Sequence, residues 1–251
     1  GPEVSFDAQY YLDNYQVDYV ITNEGELALN NLLDYLHHGG ELNIPNLVSQ
    51  NYHGRNIEIK DLNKLSSPHY LSNEHKSRIT YLETSRGCPF KCSYCLASLE
   101  QHVRFFDINR VKEEIIYLQN QGAKTFKFLD RTFNTNPKAA IDIFSFIIDN
   151  HRENSSFQFE ITGDILHRDI IDFLNEYAPK NLFRFEIGIQ STNIDTNLAV
   201  NRIQDNKKLF DNIKAIQGKG IIDLHLDLIA GLPKEDIKSF ENTFNEVISL
   251  R

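Results

Sequence analysis

Methionine and tryptophan are missing from this 251-residue sequence, and cysteine occurs only three times, as Cys88, Cys92 and Cys95. An odd number of thiols confined to one short segment cannot close a disulfide framework. That excludes a small secreted scaffold and leaves metal binding or redox chemistry. Long apolar runs are missing too: no stretch approaches the roughly 20 residues of a membrane-spanning helix, and the N-terminus lacks the charged, apolar and small-residue order of an export signal. The expected compartment is therefore the reducing cytoplasm. Positive charge is scarce, with 26 Lys and Arg against 35 Asp and Glu and a net charge of −9. A surface that neutralises nucleic-acid phosphates needs a basic face, so neither nucleic acid nor a membrane is an expected partner. The lack of methionine, the start at Gly1 and the end at Arg251 directly after a helical pattern read together as the marks of a fragment.

What is present suits a folded α/β chain, with 41% hydrophobic and 24% charged residues and length enough to bury one large core. From residue 78 onward the strand-like runs RITYLETS, KTFKFLD, SFQFEITGD, NLFRFEIGIQS and IIDLHLDLIAGLP alternate with helical patterns. Five strand-helix units in a row predict a parallel sheet with right-handed crossovers. The polar strand ends favour a partial (β/α)6 barrel over an open doubly wound sheet, its sixth strand falling just beyond Arg251. The helical stretch from Ile194 to Lys219 is expected to break near Asp205. Residues 1–60 read as a separate small αβ segment, with an amphipathic helix that carries Leu27, Leu29, Leu32, Leu33 and Leu36 and ends at His37-His38-Gly39-Gly40. The polar residues 61–77 are the expected linker to the barrel at 78–251.

The cysteines are spaced Cys-x3-Cys-x2-Cys immediately after the first strand of the barrel pattern, where the loops of such barrels hold their chemistry. Three thiolates on one loop can hold three corners of an iron-sulfur cube and leave the fourth iron open. A closed zinc site needs a fourth ligand, for which His102 is the nearest candidate, and no second cysteine hook follows.

On these residues, with the aromatic Tyr94 before the last cysteine, the sequence resembles the radical S-adenosylmethionine (SAM) enzymes from about Ile79 to its end. The resemblance implies that Cys88, Cys92 and Cys95 bind a [4Fe-4S] cluster whose open iron chelates SAM. It further implies that one electron cleaves SAM to a 5′-deoxyadenosyl radical, which abstracts hydrogen from substrate. FEIGIQS and LDLIAGLP resemble the fourth- and fifth-strand signatures of the coproporphyrinogen-dehydrogenase-like members. By that match Glu160, Gln190, Arg202 and Asp227 contact SAM or an adjacent ligand, and Tyr94 and Ile229 lie against its adenine. Where many relatives have a glycine-rich turn after the second strand, this chain has FLDRTFN, so Asp130 joins the expected cofactor-binding set, with Asp130, Arg131 and Asn134 as alternatives facing substrate. No residue is assigned as catalytic.

The opening GPEVSFD and VDYVITNEGELALNNLL resemble the end of the Rossmann-like cobalamin-binding domain that precedes the barrel in one large subfamily of uncharacterised iron-sulfur oxidoreductases. This adds cobalamin as a third cofactor of the full-length protein. Residues 1–60 lack an Asp-x-His-x-x-Gly segment for a cobalt-ligating histidine, so they are not expected to bind it alone. The implied partners are a reductant such as flavodoxin or ferredoxin and an unidentified small-molecule or macromolecular substrate. The rival readings are a non-catalytic iron-sulfur electron carrier, an RNA methylthiotransferase and a porphyrin-type radical oxidase. His225 alternates with Leu224 and Leu226, which puts it on the side of Asp223 and Asp227.

Overall fold

The computed structural model describes residues 1–71, 75–76, 78–100 and 102–250. Parts of the expected linker, residues 72–74 and 77, and the terminal Arg251 lie outside the described residues. The chain divides into two compact units, Gly1–Ser66 and Ser67–Arg251.

In the first unit a three-stranded antiparallel sheet joins Val20–Ile21, Leu47–Ser49 and Tyr52–His53. Beside it the helix Glu26–His38 ends at Gly39, whose φ of 70° suits a residue without a Cβ. Of its five leucines only Leu32 is buried, packing with Ala28, Ile44 and Leu47, while Leu27, Leu29, Leu33 and Leu36 are exposed. His37 and His38 occupy the last turn, where a cation suits the helix dipole.

The second unit is built on five parallel strands: β1 (Ile79–Leu82), β2 (Thr125–Phe128), β3 (Ser156–Ile161), β4 (Phe183–Gln190) and β5 (Asp223–Leu228), in the spatial order β5-β4-β3-β2-β1. These are the five strands the alternation predicts. The intervening helices are α1 (Ile108–Asn120), α2 (Pro137–Asn150), α3 (Arg168–Tyr177), α4 (Ile194–Ala199), α5 (Asn206–Gln217) and α6 (Ile237–Ile248). The break near Asp205 separates α4 from α5, because the Asp205 carboxylate accepts from the Lys208 N–H and starts a new helix. Asp107, Asn136, Asn193 and Asp236 cap four other helices in the same way.

Strand alternation splits the sheet into two chemically different faces. Phe126, Phe128, Phe157, Phe159, Phe183 and Phe185 point to the helical side and are fully buried with Phe144 of α2 and the aliphatic residues of α3 and α5. Phe126 stacks on Phe157 at 4.5 Å and Phe128 on Phe159 at 4.4 Å, which fixes register through side chains as well as backbone bonds. The intervening residues Lys127, Gln158, Glu160, Arg184 and Glu186 face the other way, a polar inner surface expected of a partial barrel. Among the described residues no helix is long and apolar enough to cross a membrane.

Candidate cofactor site at the strand ends

After β1 the chain forms a short antiparallel ribbon, Ser85–Arg86 with Arg104–Phe105, and the cysteines lie in the loop it closes. Gly87 starts that loop with φ at 99°, and a Cβ there would run into the His102 carbonyl, so no other residue fits. Cys92 is buried, 6% exposed, whereas Cys88 and Cys95 are partly exposed; all three are free thiols. Burial pushes the Cys88 thiol up, opposed by the Phe90 N–H and by the Thr132 hydroxyl 3.9 Å away.

The loop is held from outside. The Ser93 N–H donates to the Val200 carbonyl at 2.9 Å, and the Asn201 side chain donates to the Lys91 carbonyl at 2.9 Å. Among the described residues no three His, Cys, Asp or Glu side chains converge as ligands of a single ion would. A cubic cluster needs no such convergence, since it spreads three thiolates over three separate irons.

The end of β4 faces this loop with an irregular backbone. Asp227 pairs with Gly188 but Leu228 pairs with Gln190, so the register slips past Ile189. The Ser191 N–H then bonds the Ile189 carbonyl at 2.8 Å around Gln190, whose φ is 65°. A non-glycine residue in that region costs about 1–3 kcal/mol and is found where surrounding structure enforces it. The Gln190 Oε1 is buried with no hydrogen-bond partner, and its Nε2 occupies the space a Cβ on Gly188 would need. Replacing Gln190 with glycine is accordingly expected to leave the unfolding free energy from urea titration unchanged or to raise it by up to about 1 kcal/mol, because it relieves the strained backbone. An unfolding free energy lowered by more than that amount would show that the glutamine stabilises the fold.

Arg202 meets the same corner. Its Nη2 donates to the Gly188 carbonyl at 2.5 Å, Nε to Gln204 Oε1 at 2.9 Å and Nη1 to Tyr94 Oη at 3.3 Å, while Cys92 Sγ lies 4.0 Å from Nη1. Burial raises the Tyr94 phenol and the Arg202 charge opposes that shift.

On the inner sheet face Glu160 sits in register with Glu186. Lys127 pairs with Glu186 at 2.8 Å, and Gln158 donates to the same carboxylate. Burial raises the Glu160 carboxyl, and the Arg131 and Lys127 charges oppose it. A folded pKa above the unfolded value of about 4.3 means that wild-type stability, relative to Glu160→Gln, is greatest in acid and falls as pH rises through the folded pKa. Urea denaturation of both proteins across that range would expose an opposite slope. Asp227 lies 3.1 Å from His225 on the inner side of β5, as the alternation expects, and the Ile229 N–H donates to the Gln190 carbonyl at 3.1 Å.

Asp130, named in the expected cofactor-binding set, has its carboxylate engaged within the protein. It is 1% exposed, and its carboxylate accepts from Thr84 N–H at 2.9 Å, Thr84 Oγ1 at 2.5 Å and Ser85 Oγ at 2.6 Å. With both oxygens engaged, it is a buried strut tied to the two residues that lead into the cysteine loop. Asn134 is likewise turned inward, exchanging two hydrogen bonds with the Thr162 backbone, whereas Arg131 is exposed.

Sequence reasoning missed the polar layer behind Gln190. Gln204 Nε2 and Asn197 Nδ2 both donate to the Ser191 carbonyl, and Ser191 Oγ donates to Glu235 Oε1 at 2.5 Å. The density of Ser, Thr, Asn and Gln in QSTN and NRIQDN is the signal that marks it.

The profile of the radical SAM superfamily matches residues 82–247. This chain belongs to the radical SAM superfamily. It is 33% identical over 159 residues to an uncharacterised methyltransferase of Pyrococcus horikoshii, covering 57% of this chain and 35% of that protein. It is 32% identical over 102 residues to the oxygen-independent coproporphyrinogen III oxidase of Salmonella typhimurium, covering 39% of this chain and 22% of the relative. Among solved structures, the radical SAM methyltransferase TsrM of Kitasatospora setae superposes with a TM-score of 0.79 at 14% identity, over 100% of this chain and 52% of that one. The cobalamin-dependent enzyme OxsB gives 0.75 at 17%, over 96% and 37%. The Escherichia coli coproporphyrinogen III oxidase gives 0.54 at 18%, over 75% and 46%. The chain thus spans about a third or less of the two sequence relatives and about half or less of the structural ones. Radical SAM proteins are enzymes that use a [4Fe-4S] cluster and SAM.

Proposed function

We propose that residues 78–251 form the radical SAM barrel of an enzyme that cleaves SAM reductively and uses the resulting 5′-deoxyadenosyl radical on a substrate still to be identified. The observation that supports this best is that Arg202 bridges the loop of three free thiols and the end of β4, lying 4.0 Å from Cys92 Sγ and donating to the Gly188 carbonyl, two residues before Gln190, a strained residue whose buried side-chain oxygen has no partner. An orphaned acceptor at a strand end is costly unless a ligand donates to it.

Cys88, Cys92 and Cys95 would hold the cluster, and Glu160, Gln190, Asp227, Tyr94 and Ile229 would line the SAM site. When bound, these two cofactors supply the one-electron chemistry that produces the radical. The chain's own share is to bind and shield. Gln190 offers an acceptor to an ammonium or hydroxyl, and Glu160 and Asp227 offer carboxylates on the inner face. The phenylalanine layer behind the sheet keeps the strand ends rigid.

Residues 1–60, within the first unit, are read as the end of a cobalamin-binding domain. TsrM, which has a structure with cobalamin bound, and the cobalamin-dependent OxsB match nearly the whole chain, whereas the likeness to the coproporphyrinogen oxidase stops at 75% of it. The full protein then joins cobalamin to the barrel, with methyl transfer the favoured outcome, a flavodoxin or ferredoxin as reductant and the cytoplasm as compartment.

Anaerobic reconstitution with iron and sulfide, then reduction by dithionite with SAM and chromatography, tests the reading. 5′-Deoxyadenosine is the expected product. A fully loaded cluster that yields none, here and in the full-length protein, would point to an electron carrier instead.

A further inference from the structure

Arg202 is more deeply engaged with the protein than a SAM ligand needs to be. Each nitrogen of its guanidinium has a protein neighbour: Gln204 for Nε, Tyr94 and Cys92 for Nη1, and the Gly188 carbonyl for Nη2. Forking onto a carboxylate would mean giving up at least one of these. The residue is also delivered by an unusual backbone: Asn201, with φ at 54°, bonds the Lys91 carbonyl through its side chain, and the Arg202 N–H donates to the Asn197 carbonyl at 2.8 Å. The segment that aims Arg202 is therefore the one that clamps the cysteine loop at Lys91 and Ser93.

We infer that Arg202 is a positioning residue for the cluster-binding loop, holding a fixed positive charge against the Cys92 thiolate and thereby setting the reduction potential of a cluster bound there. The inference rests on the reading that Cys88, Cys92 and Cys95 carry the cluster. Reduction adds one negative charge to a cluster, so a cation held beside a ligand thiolate favours the reduced state and raises the potential. Cys92 is the most buried of the three thiols, so less water intervenes there than at Cys88 or Cys95. Gln204 ties the same guanidinium to Ser191, next to Gln190, so the charge is oriented from the strand end as well as from the loop.

The test uses the full chain, reconstituted anaerobically and titrated without SAM, with the reduced cluster followed by electron paramagnetic resonance. Arg202→Gln removes the charge while keeping donor capacity, and Arg202→Lys keeps the charge while losing the fork. Arg202→Gln is expected to lower the reduced-to-oxidised ratio at fixed potential about tenfold, a shift of about 59 mV for one electron. Arg202→Lys should stay within about threefold of the wild type. Equal potentials in wild type and Arg202→Gln would overturn the inference while leaving the cluster assignment intact. If Arg202→Gln loads no cluster, the lysine variant decides: a ratio near wild type supports the role of charge, and a tenfold fall overturns it. A wild-type chain that takes up no iron and sulfide would sink both this inference and the cofactor reading beneath it, and the failure would be visible in the wild type itself.

Discussion

Cys92→Ala is expected to abolish cluster uptake and to reduce 5′-deoxyadenosine formation to background, with the fold left standing. The two halves of that expectation have separate causes. A cubic cluster held by three thiolates loses a corner when one is removed, and the exposed iron is then open to solvent and oxidant. The loop's backbone, in contrast, does not depend on the sulfur. Cys95 N–H bonds the Cys92 carbonyl at 3.1 Å, Ser93 is fixed by Val200 and Lys91 by Asn201. A buried free cysteine behaves as a small apolar residue, so truncation to alanine should cost only about 1 kcal/mol. Iron and sulfide per chain, the product yield and the urea midpoint together check it. Wild-type iron and product in the variant would remove Cys92 from the site.

The legible parts of this molecule were those written in local spacing. The three cysteines announce themselves within eight positions, and the phenylalanines of KTFKF, SFQFE and FRFEI alternate strictly enough to place β2, β3 and β4 and to show which face is inner. His225 and Asp227 fell on one side for the same reason. What spacing could not show is how distant segments divide the polar work. An aspartate at a strand end looks alike whether it meets a ligand or the backbone 46 residues earlier, and Asp130 turned out to serve Thr84 and Ser85. The leucine pattern of Glu26–His38 predicts an amphipathic helix correctly but cannot say that four of its five leucines stay exposed in this chain. The slip past Ile189 and the strained φ of Gln190 arise where β4 and β5 disagree by one residue, and no one-dimensional pattern encodes that.

That displaced role for Asp130 leads to the other large effect. Asp130→Ala is expected to lower the unfolding free energy by about 2–4 kcal/mol and to impair cluster loading in the molecules that remain folded. The carboxylate is the shared acceptor for one backbone N–H and two hydroxyls, and alanine would leave all three donors at a site only 1% exposed. Burial pushes the Asp130 carboxyl up while the hydrogen bonds from Ser85 and Thr84 hold it down. Its removal therefore also relieves a desolvation cost, which keeps the expected loss below the sum of three broken charge-assisted bonds. The effect on loading follows from chain order. Thr84 and Ser85 lead directly into Arg86, Gly87 and Cys88, and Phe133, just past the strut, packs at 4.5 Å from Phe159 in the core. Asp130 thus transfers the rigidity of the phenylalanine layer to the start of the cysteine loop. Asp130→Asn separates the two contributions: its Oδ1 can still accept from the Thr84 N–H, and the two hydroxyls can rotate to accept from Nδ2, so stability should fall by less than in alanine. A urea midpoint in Asp130→Ala equal to wild type, with full iron content after reconstitution, would show that the loop is held without this carboxylate.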